Sequence, residues 1–259
     1  MTRQFGKASA TGSLTMITIL LYTAPAAAQD REEFKAKGGL YISAAAGISL
    51  PNDGEFNGIQ APILPSPGMP GAPANIVVDY GSDFTAQGAI GYRIPRRFFG
   101  LFQPSIELEY NSVSASVSSG AFNAGNQSFG GDFDVDSYSL NYQSDIRWSN
   151  GQRVIPFLGG GVGIADVESN IRYFPNNGVA TSPTFGVLGS ETAVTLQSNA
   201  GLRFVLTDRI ELQARVRYQR IRGLDFERRF IAGGNNAFNS SVTGRFESFN
   251  FFGGLQYNF

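Results

Sequence analysis

The sequence predicts an all-β chain in which eight antiparallel strands close into a transmembrane barrel, with short turns at one end and long loops at the other. Two observations carry that expectation. Apolar and polar residues alternate with a period of two in eight separate segments, as strands with one oily face and one wet face require. No segment reaches the roughly 18 consecutive apolar residues of a spanning helix. Only a closed sheet would then cross a bilayer with every backbone group paired.

The elements follow in chain order. Residues 1–28 read as a secretory signal peptide, in which Arg3 and Lys7 form a basic start, Leu14 to Leu21 an apolar run, and Ala26-Ala27-Ala28 a cleavage site. Residues 29–38 are a charged periplasmic lead-in, and residues 39–259 the outer-membrane barrel domain. The first strand, about 39–50, sets Leu40, Ile42, Ala44, Ala46, Ile48 and Leu50 against Tyr41, Ser43, Ala45, Gly47 and Ser49. The second, about 82–94, turns Phe84, Ile90 and Tyr92 outward and Thr85, Gln87 and Arg93 inward. In the third, about 102–115, Ile106, Leu108 and Tyr110 alternate with Glu107, Glu109 and Asn111.

The alternation is sharpest in the fourth, about 135–148, where Tyr138, Leu140, Tyr142, Ile146 and Trp148 oppose Ser139, Asn141, Gln143, Asp145 and Arg147. The fifth, about 154–166, carries Leu158, Val162 and Ile164 on one face and Gly159, Gly161 and Gly163 on the other. The sixth, about 193–206, opposes Leu196, Leu202 and Phe204 to Gln197, Asn199 and Arg203. The seventh, about 210–221, opposes Ile210, Leu212, Val216 and Tyr218 to Glu211, Gln213, Arg215 and Arg217. The eighth, about 245–259, has an outer row of Phe249, Phe251, Gly253, Leu255, Tyr257 and Phe259, with Phe252 the exception on the polar row. Links such as Ser149–Arg153 and Thr207–Arg209 are short, whereas residues 51–81, 116–134, 167–192 and 222–244 read as long external loops. The Pro-rich centre of the first loop, residues 61–73, is expected to be extended and poorly ordered.

Composition limits the chemistry. The formal net charge is −1, and export without residues 1–28 leaves 18 bases against 21 acids, a balance that argues against a nucleic-acid partner. Cysteine is absent, which excludes disulfides and thiolate chemistry. Histidine is absent as well, removing the usual base of a hydrolase. Glu107 and Glu109 share a face and are the nearest candidates for an acid–base pair. The simpler reading is structural: Arg93, Glu107, Glu109, Asp145, Arg147, Arg203, Glu211, Arg215 and Arg217 all point inward and form an interior charge network. Asp132, Asp134 and Asp136 open like a calcium loop, but Ser137 stands where the turn glycine belongs and Gln143 where a bidentate glutamate belongs. No metal or other cofactor is expected. Arg220, Arg222, Arg228 and Arg229 cluster near the last external loop, where lipopolysaccharide phosphates would lie.

The signal peptide, the eight alternating segments, the Pro156-Phe-Leu-Gly-Gly-Gly-Val-Gly163 strand and the closing Tyr257-Asn-Phe259 resemble the OmpA-like and opacity-type eight-stranded barrels of Gram-negative bacteria, including alphaproteobacterial surface antigens. The resemblance covers essentially the whole exported chain. It implies residence in the cell outer membrane, and a terminal strand, with Phe251, Leu255, Tyr257 and Phe259, that is read by the barrel-assembly machinery. It implies no single activity, because the same barrel carries adhesins, structural proteins, small pores and lipid-modifying enzymes. The expected role is non-catalytic: a monomer that supports envelope integrity, contacts outer-membrane lipid and lipopolysaccharide, and meets host or environmental ligands through its loops. A narrow porin-like diffusion channel is the alternative.

Overall fold

A computed structural model describes residues 38–61, 69–149, 151–179, 181–232 and 239–259. The expected signal peptide, nearly all of the lead-in and the middle of the Pro-rich segment lie outside the described residues. The strands are β1 (Gly39–Pro51), β2 (Gly54–Ile59), β3 (Pro73–Tyr80), β4 (Asp83–Arg93), β5 (Phe102–Phe122), β6 (Gln127–Gly130), β7 (Asp132–Ile146), β8 (Val154–Pro175), β9 (Phe185–Val205), β10 (Ile210–Phe230) and β11 (Asn239–Asn258). Eight of them form an antiparallel ring in the order β1, β4, β5, β7, β8, β9, β10, β11. The ring closes where β1 pairs with β11, from Tyr41 opposite Asn258 to Pro51 opposite Ser248.

The apolar rows face outward and form a continuous belt. Its upper edge is marked by Phe84, Tyr110, Tyr138, Tyr218 and Phe249, with the Tyr110 and Tyr138 rings 5.2 Å apart and Tyr218 and Phe249 5.1 Å apart. Its lower edge carries Tyr92, Trp148, Tyr257 and Phe259. Two aromatic girdles bounding an apolar band are what a bilayer with two polar interfaces selects.

The ring strands continue well beyond that band. β5, β9 and β10 each have 21 residues and β8 has 22, or roughly 70 Å of chain where about 9–11 residues suffice to cross a membrane. The segments expected as four long loops are therefore largely sheet. β1 and β4 stop at the upper girdle, and the β2–β3 hairpin takes their place in the wall, β2 pairing with β11 and β3 with β5. The handover keeps register, since Ser49 lies opposite Asp83 below and Gly54 opposite Val78 above.

The reason these extensions do not read as membrane strands is a reversal of face. Along β5 the outward row passes from Ile106, Leu108 and Tyr110 to Ser112 and Ser114, while the inward row passes from Glu107, Glu109 and Asn111 to Val113 and Ala115. β7 and β8 change the same way at Ser137 and Ala165. Above the girdle the outside is wet and the inside dry, as in any water-exposed protein. Asp132, Asp134 and Asp136 accordingly alternate along the outer face of β7, a strand and not a calcium loop.

Candidate functional site: the filled lumen and the external rim

The lower lumen is occupied by charge. Asp145 accepts from Arg203 and lies 3.2 Å from Arg147 and 3.4 Å from Arg93, whose guanidinium makes a two-point contact with Glu211 at 2.8 and 3.1 Å. Arg203 reaches up to Glu107 at 3.9 Å, and Arg215 spans Glu107 at 3.5 Å and Glu109 at 2.9 Å. Arg217 closes the series on Glu109 at 2.6 Å. The nine inward charges thus form one ladder along the barrel axis. The pairing offsets the cost of removing each ion from water, a cost that an unpaired charge in this space would bear in full.

Neutral groups complete the packing. The Tyr41 hydroxyl donates to Glu107 at 2.9 Å, and Gln197 donates to Glu109 at 3.2 Å and to Asn141 at 2.6 Å. Arg203 lies 4.4 Å over the Phe157 ring and Arg217 5.0 Å over Phe252, which explains why the polar row of the last strand contains that aromatic residue. The inward glycines of β8 serve the same packing. A Cβ on Gly161 would fall 1.9 Å from Asn141 Oδ1, and one on Gly159 would fall 2.4 Å from the Tyr142 carbonyl oxygen. Their bareness lets the β7 side chains lie across them. Glu107 and Glu109 are both buried and held by arginines, an arrangement that offers no approach to an acid–base pair.

The upper lumen is a dry core. Phe133 is its hub, with ring centroids 5.2 Å from Phe246, 5.6 Å from Tyr80, 5.8 Å from Phe226 and 6.2 Å from Phe56, surrounded by Ile76, Val113, Val135, Val167 and Ile221. Nearer the rim, Tyr173 stacks on Phe129 at 4.7 Å and on Phe185 at 5.5 Å. Burial pushes the Tyr173 phenol up to about 12, although the neighbouring Arg228 pulls it the other way. A cavity of about 510 Å³, lined by Arg93, Arg147, Arg209, Glu211 and Asn258, opens at the short-turn end and is bounded by the lowest charges of the ladder.

The four arginines expected at the last external loop do not share a surface. Arg220 and Arg222 face outward on β10, Arg220 bonded to Glu247 at 2.9 Å. Arg229 also faces outward and pairs with Glu227. Arg228 is turned into the lumen, 2% exposed, with its guanidinium 4.2 Å over Phe122 and 4.5 Å over Phe185. The cause is a bulge: register slips between Arg222 and Leu224, Gly223 adopts φ +71°, and every later side chain of β10 changes face. Arg228 is therefore removed from the candidate lipopolysaccharide set. Arg245, directly opposite Arg222 on β11, stands on that surface without having been anticipated. Facing the other way around the barrel, Asp134 and Asp136 lie opposite Glu168 and Asp166 on the outer face of β7 and β8.

Phe251, Leu255 and Tyr257 lie on the outward row of β11 at the seam with β1, and the exposed Phe259 directly follows the strand. The sequence from residue 15 to residue 259 matches the model of the outer membrane protein beta-barrel domain. The chain belongs to this family. Its place is thus the outer membrane, where the short turns of such barrels face the periplasm and the opposite end faces the exterior. No curated protein sequence matches the chain. Among solved structures, it is similar to Neisserial surface protein A, with 15% identity over 86% of this chain and 99% of that one at a TM-score of 0.42. It is likewise similar to OprG from Pseudomonas aeruginosa, with 13% identity, 87% and 98% coverage and a TM-score of 0.47. The outer membrane protease OmpT from Escherichia coli is similar at 8% identity, 85% and 97% coverage and a TM-score of 0.47.

Proposed function

We propose that this family member is a non-catalytic, non-conducting surface barrel whose work lies at its external rim, in supporting the envelope and in contacting ligands outside the cell. One observation carries the reading: two unlike fillings are stacked in the lumen, an ionic ladder below and an aromatic core above. Water and ions that enter the lower cavity meet paired charges, and above them a closely packed, mainly aromatic plug in which the buried Arg228 guanidinium is covered by the Phe122 and Phe185 rings. The sequence provides no histidine, and the paired carboxylates are engaged by arginine, which supports the absence of catalysis. The extended wall above the membrane supplies a rigid, polar platform for contact. Arg220, Arg222 and Arg245 are the residues offered to lipopolysaccharide phosphate, and the outward row ending in Phe259 is offered to the assembly machinery.

The test is single-channel recording of the refolded chain in a planar bilayer, with an unboiled gel shift establishing that the barrel has closed. The expected trace is silent. Discrete, reproducible current steps would overturn the reading in favour of the narrow diffusion channel and would make the ladder arginines its selectivity determinants.

A further inference from the structure

Charge divides between the two ends of the barrel. Acidic side chains dominate the outer face above the upper girdle on β7 and β8, whereas the short turns at the opposite end are basic. The turn after β4 contains Arg96 and Arg97, the turn after β7 ends on Arg153, and the turn after β9 ends on Arg209; Asp208 is the one acid in the three turn sequences. Arg96, Arg153 and Arg209 are exposed. None of these three forms an ion pair with a carboxylate among the described residues, Arg209 instead donating to the Tyr257 hydroxyl at 3.2 Å.

Aromatic residues are interleaved with these arginines. Arg96 lies 5.7 Å over the Phe98 ring, and Trp148 is 63% exposed. Phe99 is 93% exposed and has φ +52°, a left-handed conformation that bulky L residues rarely adopt. Among the described residues, no ring or cation contact engages Phe99. A ring at the edge of the apolar band with an unpaired guanidinium nearby matches a lipid interface, where the ring enters the acyl–headgroup boundary and the cation meets phosphate.

We propose that the periplasmic rim, centred on Arg96, Phe99, Trp148, Arg153 and Arg209, is a binding surface for anionic glycerophospholipid headgroups of the inner leaflet. A zwitterionic headgroup would satisfy the rings but would leave the positive charge of the arginines uncompensated. An anionic one satisfies both. The site is independent of the surface role assigned to the external rim.

Native mass spectrometry of the exported chain, residues 29–259, refolded in detergent and mixed with dioleoylphosphatidylglycerol or dioleoylphosphatidylcholine at equal mole fraction, tests this directly. Retention of the glycerol lipid is expected to exceed that of the choline lipid by up to about a hundredfold, the order given by three basic residues at a charged surface. Raising the salt to about 0.5 M should remove the difference, since screening then acts within a few ångströms. A triple variant R96Q/R153Q/R209Q should retain both lipids alike while keeping the parent's unboiled gel shift. If that variant does not fold, the single turn substitution Arg153→Gln should still lower the preference severalfold. Equal retention by the parent overturns the proposal, as does a preference that survives in the folded variant. So does a preference abolished by R220Q/R222Q/R245Q, which would place the lipid at the other end.

Discussion

At the residue scale, the interior charges act as a connected set. Glu109 is the clearest case because Arg215 and Arg217 both depend on it, at 2.9 and 2.6 Å. Glu109→Gln keeps the shape and removes the charge, leaving two guanidinium groups short of a counter-ion in a space without bulk water. We expect a loss of about 3 kcal/mol, at the lower end for breaking a buried pair, read as a lower urea midpoint for loss of the folded band in detergent. Glu109→Asp should recover part of it. Much of this set was legible in the sequence, because inward position follows from the period of two once the outward row is apolar. Arg228 was not legible. Its face depends on Gly223, and a single inserted residue reverses every later assignment without altering composition.

At the element scale, β10 shows what such a bulge contributes. Gly223 holds φ +71° with no atom within 4 Å of the position a Cβ would take, so the constraint there is conformational and not steric. Gly223→Val should cost about 1–2 kcal/mol through the left-handed penalty alone, more because valine is β-branched. The damage should fall on the external half, where Leu224 and Phe226 join the dry core. Limited proteolysis should then cut the segment above the girdle while the membrane ring remains protected. A cut pattern like the parent's would show that the bulge is not what orients this segment. The same element explains the difference between expected loops and observed strands. β5 continues to alternate above the girdle, Val113 and Ala115 against Ser112 and Ser114, but with the phase of its apolar row inverted. A reading tuned to lipid-facing rows takes that polar outer row for a loop. Following the phase of the pattern along each segment would have recovered the strand.

At the scale of the whole molecule, the barrel is closed twice by different physics, and the two closures should fail independently. Phe133→Ala removes the hub that touches Phe56, Tyr80, Phe226 and Phe246. A large buried aromatic truncated to alanine typically costs about 3–5 kcal/mol, visible as a lowered unfolding midpoint. The variant should nevertheless remain silent in a planar bilayer, since the ladder beneath is untouched; currents in Phe133→Ala alone would make the aromatic core the sole gate. The β2–β3 hairpin gives the same architecture a further use. Its strands continue the β1–β4 register beyond the membrane ring, and hydrogen bonds from the Gln60 amide to the Ala72 carbonyl at 2.8 Å and from the Gly71 amide to the Gln60 carbonyl at 2.9 Å clasp its tip. Foreign peptide spliced between Gln60 and Gly71 would therefore be carried far above the bilayer on a pedestal whose foundations it never touches, making this hairpin a natural mast for displaying cargo at a cell surface.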